Sequence, residues 1–159
     1  MRAQRHPDDF ADAFGAAFAR LQVRIEHACL GEGPFDWPVQ VAAAVREALA
    51  FAAADPAAAD VLTNEALAMG KAGFARYDRM LDHFAADLRR GRAERAEGER
   101  LPAITEKAMV GGVAMLIAQR LDRGRATELP NLAPEAIQFV LTPYVGIEEA
   151  RRTGERQAT

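Results

Sequence analysis

LPAITEKAMVGGVAMLIAQRLDRGR, residues 101–125, is the stretch on which the fold turns. At 100° per residue, Val110, Val113, Ile117 and Leu121 fall on one side of a helix starting at Pro102. Ile104, Ala108, Gly112 and Met115 fall on nearly the opposite side. A helix with two apolar faces must bury both. One face packs on the chain's own core; a partner subunit is the simplest recipient of the other. The alternative is a central helix sandwiched within one domain. Gly111 and Gly112 cost helix propensity, but small residues let two backbones approach closely.

Downstream, Gly124 stops this helix and LPNLAP carries the chain into another, with Ala136, Ile137, Phe139, Val140 and Leu141 on a broad apolar face. Glu135, Gln138 and Thr142 form its polar edge, and Pro143 is expected to end or kink it. Together the two helices are expected to make a ready half of a four-helix bundle between subunits. The polar tail from Arg151 is expected to fray.

Upstream, Pro7 with Asp8 and Asp9 starts a helix whose apolar stripe is Phe10, Phe14, Phe18, Leu21 and Ile25, running to about Leu30 before GEGP. Asp36 is a plausible N-cap for a second helix, and from Val39 to Ala54 only Gln40, Arg46 and Glu47 are polar. That helix must be buried on most sides. Ala54-Asp55-Pro56 breaks it. A short helix follows to about Met69, with Gly70 as its stop. The next carries Phe74, Tyr77, Leu81, Phe84 and Leu88, then runs into RRGRAERAEGER, residues 89–100, read as a solvated helix end and loop.

Composition narrows the function classes. Ser is absent, which removes the serine hydrolases, and one cysteine, Cys29, excludes a disulfide framework or a multi-cysteine metal site. The histidines His6, His27 and His83 are scattered, with no HExxH and no i,i+4 pair, so no metal and no cofactor is expected. His83 is read as exposed. His27 and Cys29 point about 200° apart on a helix, which argues against a nucleophile pair. A net charge of −3 is too acidic for a chain that tracks nucleic acid by itself. MRAQRHPDDF lacks the apolar region of a secretory signal, and the run from Ala108 to Ala118 is too short to span a bilayer. A cytoplasmic protein with no membrane partner is expected, and nothing argues for an enzyme. Glu65, among apolar neighbours in VLTNEALAM, is either paired with an arginine or a polar anchor in an apolar pocket.

Four passages, AFAAADPAAADVLTNEALAMG, LRRGRAE with LPAITEKAMVGGVAMLIAQRLDRGR, TELPNLAPEAIQFVLTPYVG, and GIEEAR, occur in an order and spacing that resemble the C-terminal regulatory domain of TetR/AcrR-type transcriptional repressors. They cover about Val41 to Arg151, and HPDDFADAF is similar to the start of that family's fourth helix. The resemblance implies an all-α, six-helix regulatory domain over residues 8–150, with 1–7 a linker remnant and 151–159 a flexible tail. Its last two long helices would form a four-helix bundle across a homodimer. It implies binding of a small apolar or aromatic effector, with Phe18, Phe51, Met69, Phe74, Tyr77 and Val113 near the cavity. Ala108, Gly112, Met115, Ile137, Val140 and Leu141 would line the dimer interface. The family's three DNA-reading helices have no counterpart here, so DNA is a partner only if a helix-turn-helix is supplied. A stand-alone dimeric binding protein without DNA affinity is the alternative.

Overall fold

Asp36 and Asp55 illustrate how the chain is punctuated. In the computed structural model, which describes residues 5–32 and 36–156, each is a helix N-cap: Asp36 accepts from the Val39 amide at 3.3 Å and Asp55 from that of Ala58 at 3.0 Å. The structure is all-helical, with no strand among the described residues. Helix α1 is Pro7–Gly31 and α2 is Trp37–Ala54. Arg20 pairs with Asp55, Arg24 with Glu47, and the Cys29 thiol reaches the Gln40 carbonyl, so the two run antiparallel. Of the predicted stripe of α1, Phe10, Phe14 and Leu21 are buried while Phe18 and Ile25 are partly buried against the core, and α2 is buried on several sides as its composition requires.

The expected short helix after Pro56 exists but is irregular. It consists of α3 (Pro56–Asp60), a π-turn over Val61–Glu65, and α4 (Ala66–Ala68). The π-turn ties neighbouring elements together: Thr63 Oγ1 donates to the Ala59 carbonyl at 2.8 Å, and Asn64 Nδ2 to the Ala118 carbonyl at 3.2 Å. Gly70, at φ +68°, turns the chain into α5 (Gly70–Leu88).

Residues 89–100 are mostly exposed, in keeping with a solvated helix end and loop, but they are ordered as two 3₁₀ turns, Arg89–Glu94 and Ala96–Arg100, with Gly91, Arg92 and Gly98 turned inward. Gly91 lies so close beneath the Trp37 indole that a methyl group there would overlap the ring. Arg92 reaches inward to Glu106, which is completely buried. A one-dimensional charge pattern does not distinguish this inward arginine from its exposed neighbours.

Helix α6 (Thr105–Asp122) begins three residues after Pro102 and ends before Gly124, which sits at φ +66°. A 3₁₀ turn, Ala126–Leu132, leads to α7 (Ala133–Val145). Helix α7 runs through Pro143 and stops at Gly146, φ +82°, rather than at the proline. Residues 151–156 of the tail expected to fray belong instead to α8 (Ile147–Arg156), which packs on α7 with Ala150, Thr153 and Gly154 buried. Gly154 permits that approach, since a methyl there would meet the Pro134 carbonyl oxygen at 2.6 Å. The period-3 burial of α8 was masked by its many charges. The linker and tail assignments at 1–4 and 157–159, and Gly33–Pro34 of GEGP, lie outside the described residues.

Candidate ligand cavity

Small residues on α2 leave space where larger ones would fill it. Ala44, Ala48 and Ala52 follow one another at four-residue spacing, flanked by Val41 and Val45, and all line a cavity of about 850 Å³. The stripe extends from Trp37 to Ala52, about 22 Å along the helix axis. Leu21 and Ile25 of α1, Met80 and Leu81 of α5, and Val113 and Ile117 of α6 complete the walls. The π-turn closes one end with Leu62 and Thr63. Beside it Phe51 is 1% exposed, its ring covered by Arg20 and Arg24, whose guanidinium carbons lie 5.5 and 5.6 Å from the centroid.

Charged lining residues gather elsewhere, where α1 and α5 separate. The two helices are joined by the Phe18–Phe84 contact, centroids 5.8 Å apart, and by Gln22 Nε2 against His83 Nε2 at 3.0 Å. Beyond that bar, toward the helix C-termini, the slot between them is lined by Glu26 and Cys29 from α1 and by Asp87, followed by Arg90, from the α5 side. Burial raises the Cys29 thiol pKa; Asp87 and Glu32 add to this and Arg90 opposes it.

Of the six residues expected near an effector, Phe51 and Val113 line the cavity. Phe18 stands behind the wall, against Phe84 and His83. Tyr77 and Met69 pack in or against the core outside the lining, and Phe74 is 54% exposed. Phe74 and Tyr77 share a stripe with Leu81 and Leu88, but α5 meets the cavity only from Met80 onward. The alanine spacing on α2 was the missed signal, because it reads as helix propensity before it reads as empty volume. Glu65 meets Arg5, Nε to Oε1 at 3.0 Å, and does not enter the cavity; His83 is exposed, as expected.

The interface expectation divides in two. Ala108 and Met115 face outward and Gly112 is half-buried. Ile137, Val140 and Leu141 lie within the chain's own core at 0–2% exposure, and Val140 borders the cavity. They are not available to a second subunit. The outward apolar residue of α7 is Phe139, 47% exposed, whose ring rests over Gly112. The glycine therefore brings α6 and α7 of one chain together.

Among the described residues no group of three or more His, Cys, Asp or Glu side chains is placed to hold a metal ion, and no helix is long and apolar enough to cross a membrane. No family model, characterised protein or solved structure matches this chain.

Proposed function

We propose that this chain is the regulatory domain of a TetR-like transcriptional repressor, which binds a small, mostly apolar effector and dimerises. The observation that carries the reading is the cavity of about 850 Å³, walled by alanine, valine, leucine and phenylalanine and set between the helices of an all-helical fold. A volume in the range of drug-sized ligands, with few polar groups, is what a site for an apolar effector requires. DNA recognition would depend on a helix-turn-helix supplied outside this chain.

Dimerisation finds support in the outer surface of α6 and α7. Ile104 is 72% exposed, Met115 49% and Phe139 47%, and these belong to the side of α6 opposite the cavity and to the adjacent edge of α7. An apolar surface of this kind is stabilised by covering it. Burial of the same face against a second copy gives the four-helix bundle of the proposal.

Sedimentation velocity with and without an apolar fluorescent probe, N-phenyl-1-naphthylamine, tests both parts. The expected result is a species of twice 17.3 kDa that enhances probe fluorescence saturably. A monomer at micromolar concentration removes the dimeric regulator, and absence of probe binding removes the effector site.

A further inference from the structure

The mouth of the cavity differs chemically from its interior. Two carboxylates, Glu26 and Asp87, line it against one guanidinium, Arg90. Neither carboxylate belongs to an ion pair among the described residues, whereas Glu47, Asp55 and Glu106 are each held by an arginine. Helix α1 also ends here, at Gly31, with no basic residue in its last turn and with Glu32 at its C-cap. A helix C-terminus carries partial negative charge, so these carboxylates reinforce it rather than compensate it. The field at the Cys29 thiol reflects this, with Asp87 acting more strongly than Arg90.

Aromatic residues line the same cavity as the carboxylates. Trp37 lies at the end of the alanine stripe, held edge-on by Tyr144 at 5.1 Å, and Phe84 borders the slot one turn before Asp87. Aromatic rings together with an excess of carboxylate over guanidinium attract a weakly hydrated cation, most of all a substituted ammonium. From there the mostly apolar lining follows α2 to Ala52.

Resting on the effector-site reading above, we propose that the ligand of this cavity is an elongated cationic amphiphile. Its apolar body lies along the alanine stripe of α2. Its ammonium end sits in the slot between α1 and α5, among Trp37, Phe84, Glu26 and Asp87. A carboxylate-headed molecule of the same length places its charge against Glu26 and Asp87 and is disfavoured.

Trp37, the single tryptophan, is a reporter at that position. Decyltrimethylammonium, decanol and decanoate, each below its micelle concentration, are titrated at low salt with Trp37 fluorescence and calorimetry as readouts. The cation is expected to bind about fivefold more tightly than decanol and decanoate more weakly than both. The Glu26→Gln/Asp87→Asn variant, altered only at exposed positions, is expected to erase the difference between cation and alcohol; Arg90→Gln is expected to widen it. Equal binding of cation and alcohol, or preference for decanoate, overturns the charge assignment and leaves the apolar site standing. Failure of all three to bind overturns both readings.

Discussion

Arg92 Nε donates to Glu106 Oε1 at 2.7 Å and its Nη2 to Oε2 at 3.0 Å, and the Glu106 side chain is wholly shielded from solvent. The same guanidinium donates to the Leu101 and Pro102 carbonyls, both at 2.8 Å, so one side chain binds the 3₁₀ turns to the start of α6. The two-point geometry offsets desolvation that an isolated carboxylate could not bear. Removing one partner strands the other. Arg92→Met is expected to lower Tm by about 10 °C at neutral pH, whereas Arg92→Met/Glu106→Gln recovers much of the loss. By contrast Lys107→Met, which breaks half-exposed pairs with Asp78 and Asp82, should leave Tm nearly unchanged. Thermal melts followed by circular dichroism separate these outcomes.

The same pair predicts a pH dependence. Burial is the largest single influence and raises the Glu106 carboxyl, but the hydrogen bonds from Arg92 and the backbone, together with the positive charges of Arg92 and Arg89, outweigh it and hold the pKa below its ordinary 4.5. A carboxylate with a depressed folded pKa contributes stability that is complete above about pH 4.5 and is lost as pH falls through the folded value. The stability gap between wild type and Arg92→Met should therefore be widest near pH 7 and narrow in acid, where the stranded carboxyl is protonated. Urea unfolding at pH 7, 5 and 3.5 measures the gap; a constant gap contradicts the assignment.

Filling the cavity should separate binding from folding. Ala48→Leu adds three carbon atoms where the structure holds open volume, so the fold gains contacts without a clash. Binding of an apolar probe is expected to fall by about tenfold or more while Tm stays level or rises. A fall in Tm with binding intact would mean that the space beside Ala48 is not there.

Gly91→Ala tests the packing behind the cavity wall. The added methyl must displace the Trp37 indole, which is itself wedged against Tyr144 and borders the mouth. Overpacking of this sort costs about 1–3 kcal/mol. A red shift of Trp37 emission should accompany the loss of stability, together with weaker probe binding. Unchanged emission would show that the 3₁₀ turns yield instead.

Surface substitution addresses assembly. Ile104→Lys with Met115→Glu changes two side chains that are half-exposed or more, so the monomer fold should keep its Tm. The sedimentation coefficient is expected to drop to that of a monomer. Persistence of a dimer would place the contact on another face.

Helix positions were legible because their signals are local. Asp36 and Asp55 cap, Pro7 and Pro56 start helices, and Gly124 ends one through nothing more than backbone sterics and neighbouring hydrogen bonds. Helical periodicity likewise grouped Val110, Val113 and Ile117 on one side of α6, the side that lines the cavity. Periodicity cannot say how many helices share a face. That is why Ile137, Val140 and Leu141 read as interface although α7 spends them on the chain's own interior, leaving Phe139 outside.

The all-helical class and the boundaries of most helices were thus determined by the amino-acid sequence alone, through propensity, capping and spacing. Only the tertiary structure decided that Arg92 turns inward to Glu106, that the charged α8 packs on α7, and that Ala44, Ala48 and Ala52 border empty space. Each of these depends on what stands opposite a residue. An alanine beside another helix and an alanine beside a void have the same local preferences, and the difference arises from the packing of segments far apart in the chain.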